Sequence, residues 1–197
     1  MQATITAAME KFVPAVMNGA GLFTVKDDIG GMSLAERDYL MIKNFGAYSK
    51  TAAAEGALTG AGGLLAGLAD LPALLGIQVT YLANAAKIYG FDPDDPSERL
   101  FMLYVFQLAY SNRLHRQDCF YRLANWSNAA SDIDWQTLQL EYRDYLDTAK
   151  LLQLLPVVGA PVGAVANHQL MKRLRDNAMN AYRMRILNKN WEGGRPS

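Results

Sequence analysis

Residues 56–89, GALTGAGGLLAGLADLPALLGIQVTYLANAAKIY, decide the fold. The stretch is apolar almost throughout, yet it neither alternates with the two-residue period of a half-buried strand nor carries a strand's density of β-branched residues. It reads as helix, and Asp70 divides it into two apolar segments, 57–69 and 71–86. Asp70 stands where it can N-cap the second segment. Pro72 falls in that segment's first turn, where a fixed φ suits the helix and a missing N–H costs little. The spacing predicts a glycine-rich apolar helical hairpin, or a sharply broken helix.

Within it Gly56, Gly60, Gly63 and Gly67 lie four, three and four residues apart, which puts them on one helical stripe. Each interior glycine costs about 1 kcal/mol relative to alanine. Four on one face therefore predict a compensating close approach by another backbone. Gly159 and Gly163, four apart late in the chain, form a second small-residue face, and packing the two against each other is the simplest use of both. Gly56, Gly60, Gly63, Gly67, Asp70, Pro72, Gly159 and Gly163 are the candidate helix-packing, membrane or partner face.

Helix signals continue on either side. Ser33-Leu-Ala-Glu36 is a capping box, predicting a helix from about 34 to 55. Asp95-Pro96-Ser97-Glu98 is a second start, with Asp95 at the N-cap, Pro96 at N1 and Glu98 at N3, opening an aromatic-rich helix. Trp135, Leu138, Tyr142, Tyr145, Ala149 and Leu152 form one apolar stripe, which Pro156 ends. A last helix over about 157–189 starts apolar and turns basic after His168. Strand signals are nearly absent, so the expected class is all-α: a single compact multi-helix domain. Residues 1–32 read as an N-terminal helix (3–18) and a connection, 33–190 as the helical domain, and 191–197 as a disordered tail.

A chain of 197 residues suffices for one core. Its charged share of 19% falls below a typical value of roughly 25%. Formal net charge is zero, so nucleic acid is not an expected partner. Charge is nevertheless uneven: Lys172, Arg173, Arg175, Arg183, Arg185 and Lys189 crowd the last helix, a candidate contact for an anionic surface. Cys119 is the only cysteine, which excludes an intrachain disulfide framework and a multi-cysteine metal site. The N-terminus lacks a secretory n-region and h-region, so the cytoplasm is the expected location, peripheral to the inner membrane if the apolar segments meet lipid.

A conventional membrane span is not expected. In the window 64–82 the leucines, Ile77 and Val79 favour insertion by about 3 to 5 kcal/mol, and Asp70 near the centre returns roughly 3. Segments 57–69 and 71–86 are about 20 and 24 Å long, short of the ~30 Å hydrocarbon core.

Three separated motifs resemble the EcsC protein family: Gly60 to Gly67 followed by Ala69-Asp70-Leu71-Pro72-Ala73-Leu74; Ala86-Lys-Ile-Tyr89-Gly90-Phe91-Asp92-Pro93; and Leu155-Pro156-Val-Val-Gly159-Ala with Asn167. The resemblance spans roughly residues 45–188. It implies a bacterial, mostly helical protein, named for association with an ABC-transporter operon linked to secretion, without established enzymatic activity or catalytic residues.

Candidate chemistry is sparse. His115, Asp118 and Cys119, at spacings of three and four, offer zinc-compatible atoms on one helical face, but the set lacks a fourth ligand, and Arg113 and Arg116 offer Asp118 an ordinary ion pair. No metal or other cofactor is expected. Cys119 with His115, or His168 alone, is the only material for a hydrolase, and no nucleophile motif, phosphate loop or dinucleotide fingerprint is present. The expected function is a non-enzymatic accessory protein meeting an anionic lipid surface or a membrane protein. The alternative is a helical protein that encloses a hydrophobic ligand, with Tyr81, Tyr89 and Met102 lining the pocket.

Overall fold

The structure, a computed structural model, describes residues 29–69, 71–111, 113–126 and 159–193, and side chains there except at 56, 58–69, 71–73, 113–114, 159–162 and 189–193. Its described residues form helices α1 (Leu34–Ala69), α2 (Leu71–Tyr89), α3 (Pro96–Tyr110), α4 (Arg113–Ala124) and α5 (Gly159–Gly193), with no strand among them. The protein is all-α.

The capping box opens α1 as its spacing predicts. Ser33 N donates to Glu36 Oε2 at 2.7 Å, and Glu36 N donates to Ser33 Oγ at 3.4 Å. α1 then runs for 36 residues without a break. Residues 34–55 and the apolar segment from 57 onward are thus one helix rather than two, because Thr51-Ala-Ala-Ala-Glu55 contains good helix formers and no proline to interrupt them. The chain passes from α1 to α2 at Asp70, which lies outside the described residues together with its expected capping contact. Pro72 is the second residue of α2.

α2 ends in a Schellman motif: Phe91 N donates to Ala86 O and Gly90 N to Lys87 O, both at 2.9 Å, with Gly90 at φ +87°. Asp95 caps α3, its Oδ1 accepting from Ser97 N at 2.7 Å, and Pro96 sits in the first turn. The helices expected over 3–18 and 135–152 lie outside the described residues. α5 continues through residues 191–193, three residues into the expected tail.

α3 is the centre of the core, with every residue from Phe101 to Tyr110 buried. Met41 and Phe45 of α1, Leu75, Tyr81 and Ile88 of α2, and Leu174 and Tyr182 of α5 belong to the same core. Each such large side chain contributes about 1.5–3 kcal/mol on burial.

The most extensive helix pairing is α1 against α5, antiparallel along most of their length. Its register is fixed by Asp38 with Arg183 (2.9 Å), Phe45 beneath the Arg175 guanidinium (4.4 Å), Ser49 with His168 (2.6 Å) and Ala52 O with Asn167 (3.0 Å). α2 reaches the start of α1 as well, since Arg37 Nη1 donates to Ile88 O at 2.8 Å. At ~1.5 Å per residue, Arg37 to Ala69 is about 48 Å of helix and Leu71 to Ile88 about 25 Å. An arginine side chain and a one-residue link do not span that difference, so α1 bends along its length. Glycine-rich helix is where such a bend is cheapest.

Candidate functional site

Polar side chains collect where the start of α1, the end of α2, the start of α3 and the C-terminal half of α5 meet. Glu98, at N3 of α3, points inward and is only 2% exposed. Its Oε1 accepts from Tyr182 Oη and its Oε2 from Arg185 Nη1, each at 2.5 Å. The Arg185 guanidinium lies 4.0 Å from the Phe91 ring centre and 4.5 Å from that of Phe101, so its charge meets one carboxylate and two ring faces. Next to this cluster, Asp38 Oδ1 accepts from Tyr89 Oη at 2.6 Å and Oδ2 from Arg183 Nε at 2.9 Å. The Tyr89 and Tyr182 rings stack at 5.2 Å and join the two sets.

Electrostatics follow from burial. Desolvation pushes the Glu98 carboxyl above its ordinary range, outweighing Arg185 and Tyr182, which favour the anion. Desolvation likewise raises the Tyr182 phenol, aided by the Glu98 charge, and the Tyr89 phenol, aided by its bond to Asp38. Both phenols stay protonated and donate. The cluster therefore joins four helices and exposes no activated nucleophile.

Arg37 makes a third junction. Nε donates to Met32 O (3.1 Å), Nη2 to Ile29 O (3.2 Å) and Nη1 to Ile88 O, tying the segment before α1 to the last turn of α2. A Cβ on Gly90 would lie 2.9 Å from Arg37 Nη1.

Further along the α1–α5 seam, Asn167 Nδ2 donates to Ala52 O and, at 3.4 Å, to Glu55 Oε2. Ser49 Oγ meets His168 Nδ1 beside the edge of the Phe45 ring. A serine–histidine contact invites a hydrolase reading, but Ser49 is buried mid-helix, where neighbouring amides already bond within α1 and offer no oxyanion donors. The pair serves as an interhelix tether. Tyr81 Oη is buried without a hydrogen-bond partner among the described residues, and desolvation raises its pKa.

The other expected residues fall as follows. Cys119 is buried, its Sγ 3.9 Å from Ser111 Oγ, whereas His115 and Asp118 are exposed. Among the described residues no group of three or more His, Cys, Asp or Glu is placed to hold a metal ion. On the basic helix, Arg175 pairs with Asp176 (2.7 Å), Arg183 with Asp38 and Arg185 with Glu98, so three of the six expected cations face internal partners. Lys172 is exposed, Arg173 is half-buried and the Lys189 side chain is not described. Gly163 is buried. Tyr81, Tyr89 and Met102 are core residues, each at most 3% exposed. The Glu98 and Asp38 junctions are absent from the sequence reading. Their one signal is Glu98 followed by Phe101, Tyr104 and Leu108 at helical spacing, which puts the acid on the apolar face.

No helix among the described residues is long and apolar enough to cross a membrane. The molecule is an all-α bundle assembled on a long antiparallel helix pair and locked by buried ionic junctions. The EcsC protein family model matches residues 1–187, extending past the motif-bearing 45–188 to the first residue. Protein EcsC of Bacillus subtilis (strain 168) is 45% identical over 183 residues, covering 93% of this chain and 78% of that protein. The uncharacterized protein YdbA of the same organism is 33% identical over 144 residues, covering 70% of this chain and 53% of that one. No solved structure matches. The chain belongs to the EcsC protein family.

Proposed function

We propose that this EcsC-family protein is a non-enzymatic accessory factor that meets a membrane surface or membrane-protein partner through its glycine-rich end, in the service of transport or secretion. One observation carries the reading. The Asn167–Ala52 contact supports it: extended one helical turn further, the α1–α5 register puts position 56 across from 163, and two turns further position 60 across from 159. Among the described residues the ionic junctions gather at the end of the bundle opposite the α1–α2 connection. A cytoplasmic, membrane-peripheral location fits this polarity.

The internal pairing of Arg175, Arg183 and Arg185 shifts the proposed contact from electrostatic to apolar. Each free cation near an anionic surface is worth about 1 kcal/mol and is screened by salt. With Lys172 as the described exposed lysine of that set, membrane association depends little on ionic strength. Liposome flotation across a salt series, with and without anionic lipid, paired with crosslinking in native membranes, tests this. Flotation that persists at high salt supports it. Protein that stays unbound from every vesicle and crosslinks to no membrane protein rejects it.

A further inference from the structure

Between α3, α4 and α5 lies a groove of about 550 Å³, lined by the apolar Leu108, Phe120, Tyr121, Ala181 and Met184. That volume falls within the roughly 300–1,000 Å³ of small-molecule sites. Phe120 and Tyr121 are 54% and 69% exposed, large rings left uncovered at its edge.

The same groove carries Arg116. Arg99, Arg175, Arg183 and Arg185 each face a carboxylate. Arg116 Nη2 instead donates to the neutral Asn177 Oδ1 at 3.1 Å, and among the described residues it meets no carboxylate. Asn177 is buried, and its Nδ2 donates to Arg173 O at 2.7 Å, which fixes the amide so that its oxygen faces Arg116. The guanidinium is thereby oriented without being neutralised. Asn180 and Gln117 add further amides to the lining.

We propose that this groove binds a long-chain fatty acid, its carboxylate forked on Arg116 and its alkyl chain against Phe120, Tyr121 and Met184. A guanidinium matches a carboxylate with two parallel hydrogen bonds, and a methionine adapts to an irregular chain. A volume of about 550 Å³ accommodates one alkyl chain. The site is separate from the glycine-rich end and stands or falls independently of the membrane reading.

The test titrates the full chain with oleate and with neutral oleamide below their aggregation limits, using displacement of a fluorescent fatty acid. Arg116→Gln and the exposed-ring variant Phe120→Ser are compared after circular dichroism confirms their folding. Saturable one-to-one oleate binding is expected, about tenfold tighter than oleamide. Arg116→Gln should erase the preference for the acid, and Phe120→Ser should weaken both ligands. Absence of saturable binding, equal affinity for acid and amide, or unchanged affinity in either variant overturns the proposal. So does an acidic amphipathic peptide occupying the groove while oleate fails to bind.

Discussion

Tyr182 and Arg185, three residues apart on α5, bond the two oxygens of one buried carboxylate, Glu98 at the start of α3. Neither oxygen is left to solvent, and removing different members of the set has unequal consequences. Arg185→Gln strands a carboxylate that is 3% exposed, and should cost about 3 kcal/mol in a urea titration near pH 7. Glu98→Gln should cost less, since Tyr182 can still donate to the amide oxygen and Arg185 keeps its aromatic faces.

The same carboxyl has a pH signature. Its folded pKa lies above the ordinary 4.5, so the native chain binds this proton more readily than the unfolded one. Its contribution to stability is lowest above the folded pKa, rises as pH falls through it, and levels off below about 4.5. The stability of the parent relative to Glu98→Gln should therefore increase as pH falls from neutral towards 4.5. Glu36 behaves oppositely: bonds from Ser33 hold its pKa below 4.5, so its capping contribution is present at neutral pH and lost as pH falls through that lowered value. Glu36→Gln measured in parallel separates the two.

Two left-handed glycines give a second contrast. Gly31 has φ +79° and open space where a Cβ would go, so Gly31→Ala should cost only the backbone term of about 1–2 kcal/mol. At Gly90 a Cβ also displaces the Arg37 guanidinium, which three carbonyls hold in place. Gly90→Ala should cost about 1 kcal/mol more than Gly31→Ala by thermal denaturation.

Helical glycines separate in the other direction. At Gly46 nothing lies within 4 Å of where a methyl group would sit, and Gly46→Ala should stabilise by up to about 1 kcal/mol. Gly163 is buried on α5, and Gly163→Leu should destabilise by about 1–3 kcal/mol through overpacking if it meets Gly56 as proposed. A neutral Gly163→Leu would remove the close-packed glycine seam.

Cys119 is 3% exposed. In the native protein its thiol should resist a thiol-reactive dye and react at the rate of global or local opening, rising steeply near the unfolding midpoint.

Local signals proved the most legible. The Ser33–Glu36 box and the Asp95–Pro96 start rest on interactions within a few residues, which spacing alone encodes. The expected break after residue 55 fails because a change in composition, from mixed to glycine-rich, is not a change of element. What stayed hidden was contact across the chain. Glu98 pairs with Arg185, 87 residues away, and Asp38 with Arg183, 145 away. A run of α5 cations looks the same in sequence whether each faces a lipid or a buried acid.

Arg37 binds the carbonyls of Ile29 and Met32 as well as that of Ile88, and so sets where anything upstream leaves the domain. Ile29 and Met32 are thereby held beside the turn between α2 and α3. That is the opposite end of α2 from the α1–α2 connection, so a label carried at the exposed position 30 leaves the glycine-rich end pointing away from the point of attachment.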